Sequence, residues 1–378
     1  MRRFAKRKNV KFRKRKCGKE KTIEECVHAF EMFLAKIRFE FLCPREGDDN
    51  AVRECVWGRF PPEKRHNMDQ VPLPFVNGQD DAFTMADDEH VCMKCPKESL
   101  RKRQFTMHLV FNAGSGDQAV GWCDVVCRGT GRRVSAGESA LWDNRVRVFW
   151  QKKAWVDKVV MRQLAMRFVE HKKVKHGADD WVILFCDNLS AHLDDEVKET
   201  FGNGKVFLCY FPPNMTHIVQ PIDAGLGRSV RTKIGHALDR WLMKEENLEK
   251  WESKMTASER RIVTTGFIGE AMTEVMSEEN ADMRRKAFER TGCLITWLPN
   301  DVHDNKICPQ GLKRESFDVP VTRTGLEEDN AVNVPLPLEP EQAGILEEQT
   351  VLEEDEDMGF LQLNDEDDEE EVGEDIDV

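Results

Sequence analysis

Two carboxylates fall where α/β sheets do their chemistry. Asp187 directly follows the apolar run Trp181-Val-Ile-Leu-Phe-Cys186. Asp223 follows a second such run, Val206-Phe-Leu-Cys-Tyr-Phe211, after the break at Phe211-Pro-Pro-Asn214. Short runs that are apolar throughout read as strands buried on both faces, and open α/β sheets bind ligands beyond the carboxyl ends of their strands. Parallel neighbouring strands would bring both carboxylates to one edge. Like charges a few ångströms apart do not all stay ionised without a cation, and hard oxygen ligands favour Mg²⁺ or Mn²⁺. A plain structural reading competes: a strand-end Asp closing a turn and a helix-start Asp capping a helix. With 69 acidic residues in the chain, spacing alone does not choose between them.

Cysteine offers less. Cys92-Met-Lys-Cys95, with His90 beside it, has the spacing of half a zinc site, but no second pair follows at a usual distance, and structural zinc takes four ligands. Chance spacing in a loop is the simpler reading. Cys123 and Cys127 share one face of a predicted strand, and Cys186 and Cys209 lie inside apolar runs, where a buried thiol packs as a small hydrophobe. Twelve cysteines scattered through a large charged chain point to reduced thiols in the cytosol or nucleus. No Ser-His-Asp or Cys-His signature is evident.

The positioning elements follow from periodicity. Val27, Phe30, Phe33, Leu34 and Ile37 predict a helix from about Thr22 to Phe41. Phe105–Phe111 and Trp122–Cys127, joined by Asn112-Ala-Gly-Ser-Gly-Asp117, predict a hairpin. Val156, Val160, Leu164 and Phe168 recur at helical spacing over 155–168. A short helix is expected over 193–201, and a longer one from Asp223 onward, with Leu226, Val230, Ile234, Leu238 and Trp241 as its buried stripe. Thr256-Ala-Ser-Glu259 is a candidate capping box for a helix reaching about Val275. Strands first, then alternating helices and strands, imply a mixed sheet with helices on its faces. Trp150 and Trp155 read as packing residues rather than base-stacking platforms.

The residues around the two carboxylates sharpen the chemistry. Cys186-Asp-Asn-Leu-Ser-Ala-His192 resembles the Asp-Asn-x-x-x-His strand end of DDE-type transposases. Phe211-Pro-Pro-Asn-Met-Thr-His-Ile-Val-Gln-Pro-Ile-Asp-Ala-Gly225 resembles their Pro-Pro-x-x-Thr…Gln-Pro-x-Asp segment, and Asn67-Met-Asp69-Gln is similar to the segment carrying the first carboxylate. The resemblance is to the pogo/Tigger-like branch of the mariner superfamily (related to jerky and centromere protein B), over approximately residues 60–245. Weaker similarity continues through Arg290-Thr-Gly-Cys-Leu-Ile-Thr296. It implies an RNase H-like catalytic core in which Asp69, Asp187 and Asp223 are the catalytic, metal-binding triad for two Mg²⁺ or Mn²⁺ ions. The implied activity is DNA strand cleavage and strand transfer at transposon ends and target DNA. Asn188 and His192 are candidates for orienting the ligands or touching DNA, beside a purely structural role. The family works as dimers or higher assemblies, so a homo-oligomer is expected.

Charge divides the chain. Its formal net charge is −13, yet residues 1–22 carry twelve Lys or Arg against Glu20 alone, and residues 324–378 carry twenty-two Asp or Glu with no Lys or Arg. The domains expected are a disordered basic arm (1–22), a helical lead-in (23–60), the catalytic core (61–245), a mainly helical extension (246–312), and a linker with a disordered acidic tail (313–378). Lys6-Arg-Lys8 and Arg13-Lys-Arg-Lys16 suit nuclear import or DNA contact. Arg101, Lys102, Arg103, Arg128, Arg132, Arg133, Arg228, Arg231 and Lys233 fit a phosphate track, though each also reads as a solvated surface charge. The acidic tail reads as a solubilising segment, or as a competitor with DNA for basic groups. No run reaches the ~20 apolar residues of a membrane-spanning helix, and no apolar segment follows the basic N-terminus as in a secretory signal. The tandem helix-turn-helix domains usual in the pogo-like branch do not fit in the 68 residues before Asp69, so either the sequence is truncated, or that DNA-binding part is lost, or the basic arm supplies only non-specific contact. The alternative to an enzyme is a domesticated nuclear protein that binds DNA or chromatin without cutting it.

Overall fold

The computed structural model describes residues 22–42, 55–74, 103–132, 134–298 and 300–319. The basic arm through residue 21, His90, Cys92, Cys95, Arg101, Lys102, Arg133 and the acidic tail lie outside the described residues.

Six strands among the described residues form one sheet in the order β4-β3-β2-β1-β5-β6: β1 (Arg65–Pro74), β2 (Arg103–Asn112), β3 (Gly121–Arg128), β4 (Val146–Gln151), β5 (Val182–Cys186) and β6 (Val206–Tyr210). β1, β2 and β3 form an antiparallel meander, and β4 joins β3 in parallel. On the other side of β1, β5 and then β6 run parallel to it. An antiparallel three-strand meander whose first strand pairs with a parallel strand that in turn pairs with another is the RNase H-like topology, here with β4 added at one edge.

Helices cover both faces. On one side, α2 (Lys158–His176) and α3 (Asp195–Asn203) set Val160, Leu164, Phe168, Val197 and Phe201 against Met68, Val110, Val126 and Leu184. On the other, α1 (Ile23–Glu40), α4 (Gly227–Leu242), α5 (Ala257–Met276) and α6 (Ala281–Arg290) pack Phe33, Val230, Ile268 and Phe288 around Val71, Leu109 and Phe185. The helix starts follow local chemistry. The Thr22 hydroxyl accepts the Glu25 N–H while the Glu25 carboxylate accepts the Thr22 N–H, and Thr256 with Glu259 repeats this box. Asp157 caps α2 through the Val160 N–H at 2.9 Å. Asn112 holds the β2–β3 connection, donating to Glu63 O and Gln118 O and accepting the Val120 N–H.

The structure departs from the sequence reading in three places. β1 and β4 are strands that periodicity did not mark; β1 carries Arg65, His66, Asn67, Asp69 and Gln70, so no apolar alternation runs through it. Asp223 lies in a π-helical turn, Ile222–Leu226, one turn before α4. Gly225 in that turn has φ 153°, a conformation that favours glycine and breaks the helix there. The core also continues beyond residue 312, where the sequence places a linker: Phe317 is buried and meets the Phe30 ring edge-on at 5.1 Å.

Candidate active site

Register and pleat bring the first two carboxylates together. The parallel β1–β5 ladder pairs Asn67 with Phe185. Asp69 and Asp187 each lie two residues further on, and a period of two puts both on the same side as that pair. This is the side covered by α1, α4 and α5, to which the turn carrying Asp223 also belongs. Asn67 joins the three segments. Its Nδ2 donates to Phe185 O at 2.9 Å and Met68 O at 3.2 Å, and its Oδ1 accepts the Ile222 N–H at 3.0 Å.

The electrostatics follow from this crowding. Asp69 is buried, and burial first, then the charges of Asp223 and Asp187, raise its pKa well above the usual carboxylate range. The Gln70 N–H, 2.7 Å from Asp69 Oδ1, and the Gln220 amide pull the other way. Gln220 is itself fully buried, and among the described residues its amide makes no well-formed hydrogen bond. Asp223 stands at an exposed position, yet its pKa is raised too, by desolvation and by the charge of Asp187. Its hydrogen bond with Asp69 and the charges of His217 and Arg231 offset part of that. Both carboxyls are shifted toward holding a proton, and the hydrogen bond between them lets the pair share it.

Asp187 is held differently. Burial pushes its pKa up, but His192, with Nδ1 2.5 Å from Asp187 Oδ1, outweighs burial and keeps the carboxyl below its usual range. Burial pushes His192 down and Asp187 more than restores it, so the imidazole pKa lies above its usual value. His192 is 1% exposed, and its Nε2 lies 3.4 Å from Gln70 Nε2. Asn188 turns away from the carboxylates: its Nδ2 donates to Phe211 O at 2.7 Å, tying the end of β5 to that of β6. The structure thus brings Asp69, Asp187, Asp223 and His192 together and gives Asn188 a tether. Sequence reasoning did not single out Asn67, Gln70 or Gln220. Their sequence signal was only their place beside an implied carboxylate in the family-like segments Asn67-Met-Asp69-Gln70 and Gln220-Pro-Ile-Asp223.

The donor set suits a hard divalent cation. It consists of carboxylate oxygens crowded enough to raise the pKa of both Asp69 and Asp223, and a cation would supply the positive charge that such crowding favours. Among the described residues, no three His, Cys, Asp or Glu side chains stand close enough to enclose an ion as they lie. The partners explain this, since Asp69 Oδ1 is turned to the Gln70 N–H and Asp187 Oδ1 to His192. Of the proposed phosphate track, Arg132, Arg228 and Arg231 are exposed, Arg128 is half-buried, and Lys233 pairs with Glu274. Cys123, Cys127, Cys186 and Cys209 are buried in the two cores.

Residues 103–264 match the sequence family described as DDE superfamily endonuclease, a span that contains Asp187 and Asp223. Among solved structures the chain is similar to the Mos1 transposase paired-end complex with left transposon end, at 11% identity and TM-score 0.36 over 75% of this chain and 69% of that one. It is similar to a pre-cleavage Mos1 transpososome at 11% identity and TM-score 0.37, over 74% and 70% of the two chains. It is also similar to the catalytic domain of Mos1 mariner transposase at 11% identity and TM-score 0.33, over 70% and 98%. The strand order and directions described above, not these distant likenesses, establish the fold.

Proposed function

We propose that this chain, whose residues 103–264 form a DDE superfamily endonuclease domain, is a metal-dependent DNA endonuclease and strand-transfer enzyme of the pogo/Tigger-like branch. The observation that carries the reading is the gathering of Asp69, in the middle of β1, with Asp187 and Asp223 beside the carboxyl end of β5, close enough to shift one another's protonation. On this reading the three carboxylates hold two Mg²⁺ or Mn²⁺ ions. When bound, these would supply Lewis-acid stabilisation of the attacking and leaving oxygens in an in-line displacement at phosphorus. Water attacks the phosphodiester and the P–O3′ bond breaks; in strand transfer the freed 3′-hydroxyl attacks in turn.

The chain's own groups have defined parts. Asp69 and Asp223 give up their shared proton to become ligands. His192 fixes the Asp187 carboxylate through Nδ1, and in the neutral ring its Nε2 can accept from the Gln70 amide of β1. Arg231 places positive charge beside Asp223, where an incoming phosphate would meet it. The two N-terminal basic clusters would add non-specific DNA contact and nuclear import, so a fluorescent fusion should accumulate in nuclei and lose that accumulation when residues 6–16 are neutralised.

The test is nicking of supercoiled plasmid with Mg²⁺ or Mn²⁺. Wild type should convert it to open circles, and Asp187→Ala should be slower by at least about 10³-fold, the scale of a lost catalytic electrostatic group. Equal inactivity of both proteins with DNA binding intact would overturn the nuclease reading in favour of a DNA-binding protein without catalysis.

A further inference from the structure

We propose that Asn67 is the positioning residue that sets the mutual placement of the three carboxylates. This rests on the reading of Asp69, Asp187 and Asp223 as the metal-binding set. The Asn67 side chain has no solvent exposure, and all its hydrogen-bonding directions but one are used. The nitrogen faces two carbonyl oxygens and the oxygen faces an N–H, so the orientation of the amide is fixed. Each bond belongs to a different part of the site. Met68 O lies on β1, one residue before Asp69. Phe185 O lies on β5, two residues before Asp187. The Ile222 N–H opens the turn, one residue before Asp223. A single side chain therefore spans all three carboxylate-bearing segments.

Its location makes this more than local packing. The Asn67–Phe185 pair is the last of the β1–β5 ladder, so beyond it no backbone pairing holds Asp69 to Asp187. The turn carrying Asp223 belongs to no strand and lacks a side-chain cap. The Asn67 amide takes over where regular structure stops holding the segments. The side chain points into a layer containing Phe185 and Ile222, where an aliphatic residue would pack without desolvating an amide. A polar residue there is costly unless its partners need it. It touches no reacting atom on this account and acts only through the segments it joins.

The test compares Asn67→Ala with Asn112→Ala, which removes an equally buried amide that also bonds three backbone groups, at Glu63, Gln118 and Val120, none of them in β1, β5 or the turn carrying Asp223. Three readouts are taken on the full chain: plasmid nicking, Mn²⁺ binding by calorimetry, and hydrogen exchange at the Ile222 amide. Asn67→Ala should weaken Mn²⁺ binding and slow nicking by 10–100-fold, the range for residues that orient metal ligands, and should speed Ile222 exchange. Asn112→Ala should keep all three within about twofold of wild type while losing comparable thermal stability. If the alanine variant does not fold, Asn67→Ser is measured against the same thresholds. Nicking and Mn²⁺ binding within twofold of wild type in the Asn67 variant, or an equal loss in Asn112→Ala, would overturn the proposal. If wild type neither nicks nor binds Mn²⁺, the nuclease reading falls. The Asn67 clip is then judged by Ile222 exchange alone: faster only in the Asn67 variant sustains it, and unchanged overturns it.

Discussion

On the α2 side of the sheet, Asp124 of β3 is 1% exposed and carries an unusual load. Arg167 Nε of α2 lies 2.6 Å from its Oδ1, the Trp122 indole N–H donates to its Oδ2 at 3.1 Å, and His108 Nδ1 lies 3.8 Å away. At 2.6 Å and an effective dielectric of about 20, the gross attraction of the pair is about 6 kcal/mol, much of it consumed by desolvating both ions. Removing one partner is a different matter, because the other charge is left behind. The two sides are unequal, since the Arg167 side chain is 16% exposed and that of Asp124 only 1%. Arg167→Met strands a carboxylate with almost no route to water and should cost about 3–5 kcal/mol. Asp124→Asn keeps the shape and leaves a guanidinium that reaches solvent along its stem, and should cost about 2–3 kcal/mol. The double variant should lose about 2 kcal/mol less than the sum of the singles. Urea unfolding of the four proteins measures this directly. Additivity within about 0.5 kcal/mol, or a larger loss for Asp124→Asn than for Arg167→Met, would refute the reasoning.

Two further perturbations have definite signs. His66 is buried, with its ring near Phe168 and His176, and burial, reinforced by His176, lowers its pKa to about 3. Between that value and the unfolded value of about 6.5 the unfolded chain binds a proton that the fold excludes, so stability falls as pH drops through this window. From pH 6.5 to 4.5 wild type should lose about 2.5 kcal/mol more than His66→Phe in urea titrations, and parallel pH curves would contradict this. Arg65, fully buried over the Phe41 ring, donates to the carbonyls of Phe60, Trp57, Cys293 and Ile295. Lysine lacks that planar fork, so Arg65→Lys should cost about 2–4 kcal/mol in thermal or urea unfolding, and an unchanged midpoint would show that the bonds carry no net stability.

What the sequence revealed depended on how uniform each segment's surroundings are. β5 and β6 are buried on both faces and read as apolar runs; α1, α2 and α4 meet the sheet along one stripe and read as i+4 repeats. β1 is central but sends polar groups to both faces: His66 and Gln70 toward α2, Arg65, Asn67 and Asp69 toward α4 and α5. Its pattern therefore cancels. Asp187 and Asp223 were legible because they end or follow readable strands, whereas Asp69, on the unreadable strand, came only through family resemblance. The pairing of His192 with Asp187 lies within the local Asp-Asn-x-x-x-His segment, whereas Asn67's bonds to Phe185 and Ile222 cross 118 and 155 residues. No local pattern encodes the Asn67 bonds.

The most direct measurement is anomalous scattering from crystals of the full chain soaked in MnCl₂. The account predicts manganese peaks bounded by carboxylate oxygens of Asp69, Asp187 and Asp223 at about 2.0–2.3 Å, with the Asp69–Asp223 pair having surrendered its shared proton and Asp69 turned from the Gln70 N–H. Crystals of Asp187→Ala should lose at least one peak. Carboxylates that keep their present partners, with no manganese among them at saturating concentration, would contradict the claim that these three residues form a metal-dependent nuclease centre.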